Sequence, residues 1–343
     1  MDLSVVIVTW NTRNLAVSCI RRLQRELDEL GAKSGISSEI FVVDNGSTDG
    51  TDAALREYFP GIEIIALPEN QGFAAGNNAA FERVSGRFVL LMNSDVEISC
   101  ASLDRCLAVL RESPRAGAVG PRLLFPDGRT QASVHGFPGL WDELVPRRWR
   151  GRAAGEFDLG ASDVASVDAL RGAALFVRRE VIESVGPLCE DYFFFLEETD
   201  WCWRMHEGGW EVLFVPNATA VHQLGASSKR VSPLRTRIEF HRSLYRFVEL
   251  RRGSLSAGAI RWVRFGRALG TAIVSTPAAL FRSSARRRLR ERIGLLRWHL
   301  RGCPPQDGLS GEGGRGRSLD AETQKREPSE SMAISRPGRR DDR

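Results

Sequence analysis

Three short polar clusters punctuate a chain of 343 residues that is 42% hydrophobic: Thr9-Trp10-Asn11, Asp44-Asn45-Gly46-Ser47 and Asn93-Ser94-Asp95. Asp95 comes just after the apolar run Phe88 to Met92. A carboxylate placed there suits a hard cation, because Mg2+ and Mn2+ take one or two carboxylates and share their other positions with substrate phosphates and water. Capping the next helix is the alternative role for Asp95, as it is for Asp44 and Ser47. A second chemistry lies in Phe193-Phe194-Phe195-Leu196-Glu197-Glu198-Thr199-Asp200, where three carboxylates follow four apolar residues. Apolar surroundings and crowded like charge both raise a carboxyl pKa, which suits a base for proton abstraction. Acidic residues opening a helix give the same pattern, and the two readings are compatible. His222 is a metal or phosphate ligand candidate, with a structural histidine as the alternative. No G-x-G-x-x-G follows the first apolar run, and neither a G-x-x-x-x-G-K-[ST] loop nor a G-x-S-x-G elbow occurs. The six cysteines include no C-x-x-C pair, so neither a zinc site nor a disulfide framework is expected.

The elements that must carry these clusters alternate. Leu3 to Thr9 is a continuous run rich in apolar and β-branched residues, as in a strand buried on both faces. Leu15, Cys19, Ile20, Leu23, Leu27 and Leu30 then recur at helical spacing over 14–30. Strands are expected at 40–43, 62–67 and 87–92, with helices at 52–58 and 74–84. Repeated strand–helix units with short links predict an α/β fold with a doubly wound, mostly parallel sheet. In such a sheet ligands bind beyond the carboxyl ends of the strands, where all three clusters fall. Further on, Gly120 to Ser133 reads as a hairpin about Pro126-Asp127-Gly128, and 135–165 as a long loop. A strand at 170–178, a helix at 179–185 and short strands at 210–215 and 219–222 close this body.

Charge divides the chain. Residues 1–228 carry 21 Lys+Arg against 32 Asp+Glu, residues 229–302 carry 19 against 3, and residues 303–343 carry 8 of each. The expected organisation is therefore a catalytic body over 1–228, a basic amphipathic helical segment over 229–302 and a disordered polar tail over 303–343. The uncharged stretch Ala268 to Phe281 is too short to span a bilayer, so a cationic helix lying on an anionic membrane surface is expected, with Trp262, Phe265, Phe281 and Trp298 at the interface. Nucleic acid is not expected as a partner. The acidic, short apolar N-terminus does not read as a secretory signal, and the expected location is cytoplasmic, at the inner face of the cell membrane.

The segments SVVIVTWN, VVDNGSTDGT, ENQGFAAGNN, LLMNSD, FLEETDWCWR and VPNATAVHQLGASS occur in an order and spacing that resembles family 2 glycosyltransferases of the GT-A fold, in particular the bacterial rhamnosyltransferase-like branch. The resemblance spans about residues 3–228. It implies that Thr9, Trp10, Asn11, Asp44, Asn45, Gly72, Asn77, Asn93 and Ser94 surround the nucleotide sugar. It further implies that Asp95, as the last carboxylate of a D-x-D motif, and His222 hold Mg2+ or Mn2+ on the diphosphate. Glu198 takes the position of the catalytic carboxylate, and Asp200, its acidic neighbour, is expected to share the catalytic role. Two departures stand out: Asn93 where a full motif has Asp, and Glu198 where Asp is usual. The implied reaction is an inverting transfer from dTDP-rhamnose or a UDP-sugar to a hydroxyl of a lipid-linked or free saccharide in cell-surface polysaccharide synthesis. An inactive nucleotide-sugar binding module and a nucleotidyltransferase are the competing readings.

Overall fold

The computed structural model describes residues 1–145, 164–223, 232–281 and 283–312. The alternation forms as the pattern requires: β1 (Leu3–Thr9), α1 (Arg13–Ser34), β2 (Ser38–Asn45), α2 (Thr51–Tyr58), β3 (Glu63–Leu67), α3 (Phe73–Phe81) and β4 (Phe88–Asn93). β5 (Val96–Ile98) and α4 (Cys100–Glu112) follow, neither of them anticipated, and then the long β6 (Ala116–Leu124). Ser99 caps α4 by accepting from the Ser102 amide, so the capping signal was present in the sequence. β7 (Val134–His135), α5 (Leu140–Leu144), β8 (Ala165–Ser166) and β9 (Ala169–Leu170) lead to β10 (Ala174–Arg178), α6 (Arg179–Ser184), α7 (Glu197–Glu207) and β11 (Glu211–His222).

The main sheet runs β3-β2-β1-β4-β10-β6-β11-β5, with β8 also paired to β11. β1 to β4, β6 and β11 share one direction, while β10 is inserted antiparallel between β4 and β6. β1 lies between β2 and β4, with Thr9 opposite Asp44 and Val8 opposite Asn93, so the three polar clusters emerge at one sheet edge. Alternation along each strand feeds two cores. Leu3, Val5, Ile7, Leu90 and Met92 face α1 and α4, while Val6, Val89 and Leu91 join the side chains of α3 and α7 on the other face. Covering both faces explains the unbroken apolar runs of β1 and β4.

Several expectations need correction. The strand expected over 170–178 is broken at Arg171-Gly172-Ala173, and β9 pairs with β7 in a separate small sheet. The hairpin over 120–133 reduces to β6, a tight turn closed by Phe125 and Arg129, and a single bridge between Leu124 and Thr130. The two short strands after 210 form one strand, β11, with a register shift between Val215 and Thr219. The loop over 135–165 contains α5, and its larger part lies outside the described residues.

The basic segment forms three helices, α8 (Pro233–Arg252), α9 (Ser254–Phe281) and α10 (Ser283–Leu300). They share a third core with Tyr192 and Leu196 of the body. Trp298, expected at a membrane interface, is instead 1% exposed in that core, stacked on Tyr245. Charge docks the helices to the body: Arg251 and Arg246 pair with Asp200 and Asp191, and Arg264 and Arg267 with the buried Glu143 of α5. The tail is structured further than expected, with 3-10 turns at Pro305–Asp307 and Leu309–Glu312; residues 313–343 lie outside the described residues. No helix among the described residues is long and apolar enough to cross a membrane.

Candidate active site

Beyond the carboxyl ends of β1 and β4 lies a cavity of about 430 Å3 lined by Thr9, Trp10, Asn45, Asn93, Ser94, Asp95, Glu197, Glu198 and His222, together with Phe73 and Phe193 to Phe195. At one corner His222 Nε2 stands 3.4 Å from Asp95 Oδ1, and both residues are buried. Gln131 decides which nitrogen of His222 carries hydrogen. Its Nε2 donates to the carbonyls of Leu124 and His222, so its Oε1 faces His222 Nδ1 at 3.1 Å and must accept. Nδ1 therefore carries a hydrogen, and in the neutral imidazole the lone pair of Nε2 points at a carboxylate oxygen. Two acceptors facing each other inside a protein repel unless a cation lies between them, so this donor pair fits a divalent metal. Among the described residues no third His, Cys, Asp or Glu joins them. A metal here completes its shell with water and phosphate, as Mg2+ commonly does.

The loops on the β2 side are braced more than exposed. Asn11, at φ 53°, uses its amide to donate to Ser47 Oγ and its Oδ1 to accept from the Thr48 amide, joining the loops after β1 and β2. Asn45 donates to Asn70 Oδ1 and the Gly72 carbonyl while accepting from the Gln71 amide, which fixes the loop leading into α3. Gly72 has φ 93°, and a Cβ there would collide with the Phe193 carbonyl, so only glycine serves where the α3 loop meets the Phe193 segment. Asn77 donates to the Phe73 carbonyl inside α3, with its own Oδ1 buried and unpartnered. Asp44 is likewise buried with Oδ1 unpartnered, and burial raises its pKa against the opposing hydrogen bonds from Ser47. Thr9, Trp10, Asn45, Gly72, Asn93 and Ser94 thus reach the cavity wall, whereas Asn11, Asp44 and Asn77 stand behind it.

The carboxylates separate into two roles. Glu197 and Glu198 open α7 and line the cavity, each with a buried Oε2 that lacks a partner. Burial raises both pKa values; the neighbouring Glu198 charge adds to the rise at Glu197, while Arg171 and nearby backbone amides oppose it at Glu198. Phe195 and Leu196, just before them, both have positive φ, at 74° and 67°. Left-handed backbone at non-glycine residues is strained, and here it turns the chain so that α7 begins at the cavity. Asp200 is different. It is fully buried and accepts from Tyr192 Oη, Arg251 Nε and Arg204 Nε, so both oxygens are engaged away from the cavity. The catalytic role expected for Asp200 is therefore corrected: it does not line the cavity, and its two oxygens are taken up by Tyr192, Arg204 and the α8 residue Arg251, so it clamps α7 to α8.

Three site residues escaped the sequence reading. Gln131 lay in what resembled a hairpin, and nothing local links it to His222. Arg171 lines the cavity where the expected strand breaks. Leu309, from a segment expected to lack structure, also lines it, held by its amide donating to Glu239 Oε2 of α8 at 2.9 Å.

The family described as Glycosyl transferase family 2 matches residues 4–175. The chain is 28% identical over 293 residues to the N-acetylglucosaminyl-diphospho-decaprenol L-rhamnosyltransferase of Mycobacterium tuberculosis, covering 80% of this chain and 93% of that protein. Similar solved structures include GalNAc-T7 with UDP, GalNAc and Mn2+ (TM-score 0.51, 16% identity, 73% of this chain and 48% of the other). Another is the mannosyltransferase PcManGT from Pyrobaculum calidifontis with GDP-Man and Mn2+ (TM-score 0.50, 17% identity, 87% and 86%). With its mixed sheet, its cavity at the strand ends and this family match, the chain belongs to glycosyl transferase family 2, as a glycosyl-transferring enzyme of the GT-A fold.

Proposed function

We propose that this enzyme transfers a deoxyhexosyl or hexosyl group, with inversion, from dTDP-rhamnose or a UDP-sugar to a hydroxyl of a lipid-linked saccharide used in cell-surface polysaccharide synthesis. The observation that carries the reading is the single cavity joining the Asp95–His222 pair to Glu197 and Glu198. The choice of a rhamnosyl donor and a diphospholipid acceptor is drawn from the name of the mycobacterial relative, over 93% of whose length the alignment extends.

In this reading Asp95 and His222 hold Mg2+ or Mn2+, which when bound neutralises charge on the donor diphosphate. Trp10, Asn93 and Ser94 flank the donor, and the buried Asp44 stands behind this wall. Glu198 takes the acceptor proton. The acceptor oxygen forms a bond to the anomeric carbon as the carbon–phosphate oxygen bond breaks, and the nucleoside diphosphate leaves from the opposite face. Such a base contributes about 10²–10⁴-fold. Glu197, the more deeply buried of the pair, retains its proton, because two adjacent buried carboxylates do not both ionise readily.

The acceptor's lipid favours a peripheral site at the inner face of the membrane. Along α9, Leu255, Trp262, Leu269, Ile273 and Val274 are exposed, at 92, 74, 43, 63 and 80%. Leu255, Trp262, Leu269 and Ile273 fall on one stripe at helical spacing, on a segment rich in arginine, the pattern of an interfacial helix on anionic lipid.

The test is a melting scan of the purified protein with dTDP, UDP, GDP or ADP, each with and without Mn2+. A ligand at a hundredfold its Kd adds about 2.7 kcal/mol of stability. Stabilisation by dTDP or UDP that depends on Mn2+ is the expected result, and stabilisation by none of the four contradicts the reading.

A further inference from the structure

The charges around the cavity are unevenly distributed. Asp95, Glu197 and Glu198 are acidic, and Arg171 is the guanidinium among the described lining residues. Arg171 forms no ion pair with a described carboxylate, whereas Arg22, Arg56, Arg83, Arg115, Arg129, Arg179 and Arg204 of the body do. Its position is nonetheless fixed. The backbone amide donates to the Ser133 carbonyl, and Nε donates to the Ala132 carbonyl at 2.7 Å, which leaves the two terminal nitrogens of the fork for another partner. The break between β9 and β10 puts the adjacent Gly172 against the proposed base, where an added Cβ would meet Glu198 Cβ at 3.4 Å, and Arg171 lines the same cavity and acts electrostatically on Glu198.

The donor diphosphate has its own place at the Asp95–His222 corner. A cation beside the carboxylate that meets the acceptor hydroxyl serves the acceptor instead. We propose that Arg171 binds a phosphate group carried by the acceptor, so that the enzyme selects phosphorylated saccharides over neutral ones. A planar fork with fixed Nε suits two phosphate oxygens at once, which a lysine ammonium does not reproduce. Phe193, Phe194 and Phe195 line the same cavity and give the adjoining lipid an apolar surface. The inference rests on the transferase reading above.

The experiment compares wild type, Arg171→Gln and Arg171→Lys with two acceptors, a short-chain N-acetylglucosaminyl-diphospho-lipid and an alkyl N-acetylglucosaminide without phosphate. Arg171→Gln is expected to raise KM for the diphosphate acceptor about ten- to hundredfold more than KM for the neutral one, the range of a charge-assisted hydrogen bond. Arg171→Lys recovers part of that loss. The Mn2+-dependent melting shift with the nucleoside diphosphate is retained in both variants. An equal rise with both acceptors, or a lost melting shift, assigns Arg171 to the donor and overturns the proposal. A pH profile that moves identically for both acceptors overturns it too, because Arg171 then acts only on Glu198. Wild type that uses neither acceptor removes the acceptor reading and this proposal with it; wild type that uses both, with an unchanged KM ratio in the variants, removes this proposal alone.

Discussion

Gln131 is held by two carbonyls and in turn holds His222, so removing its side chain frees the imidazole to rotate or to change tautomer. Gln131→Ala is expected to weaken Mn2+ binding about 10–100-fold, the usual cost of losing such a support, and a Mn2+ titration of the nucleotide-dependent melting shift measures it. Glu197 gives a prediction of opposite kind. Its folded-state pKa lies well above the ordinary glutamate value, chiefly through burial, so it favours folding most below that ordinary value and the benefit is lost as pH rises through the folded pKa. Glu197→Gln should therefore melt like wild type near pH 4 and progressively higher than wild type toward pH 8. Equal melting temperatures across that range contradict the assignment. Residue chemistry was partly legible in the sequence. Asp95 and the carboxylates after Phe195 sit where their apolar neighbours indicated, because a polar residue ending a buried run must lie at a strand or helix end. Gln131 and Arg171 were not legible, because each acts on a partner distant in sequence and neither belongs to a periodic pattern.

α7 and α8 depend on one buried group. Asp200 is wholly buried and balanced by Arg204 from its own helix and Arg251 from α8. Removing one partner of a buried pair leaves charge without compensation, so Arg251→Ala should cost about 3 kcal/mol in urea unfolding, the low end of that class because Arg204 remains. A loss below about 0.5 kcal/mol, the ordinary size of a surface change, would show that the clamp is not structural. The same reasoning explains why Asp200 misled the sequence reading: three acids in one helical turn look alike in a string, and what sets Asp200 apart is its pairing with Arg204 and with Arg251, a partner 51 residues away. Strands β1, β2 and β4 were legible as apolar runs buried inside the sheet, and the partly exposed edge strand β3 by its own short apolar run, all bounded by turn residues. The antiparallel insertion of β10 was not, because pairing order is set by long-range contacts.

The whole molecule presents an acidic catalytic body and a basic helical unit whose exposed apolar stripe lies on α9. Its attachment to anionic vesicles is expected to fall in high salt, by screening, and to fall further in Trp262→Glu, which places charge in the middle of the stripe. Co-sedimentation with phosphatidylglycerol vesicles measures both, and retention of full binding by Trp262→Glu excludes α9 as the contact. The charge division that defines this unit is plain in the sequence, but the burial of Trp298 and the return of Leu309 to the cavity depend on how the helices pack. The central claim is that one cavity holds the nucleotide sugar and presents Glu198 to the acceptor. The most direct test is Glu198→Gln, assayed for sugar transfer and for the Mn2+-dependent melting shift with the nucleoside diphosphate. Transfer is expected to fall about 10²–10⁴-fold while the shift is unchanged. Transfer at the wild-type rate would contradict it.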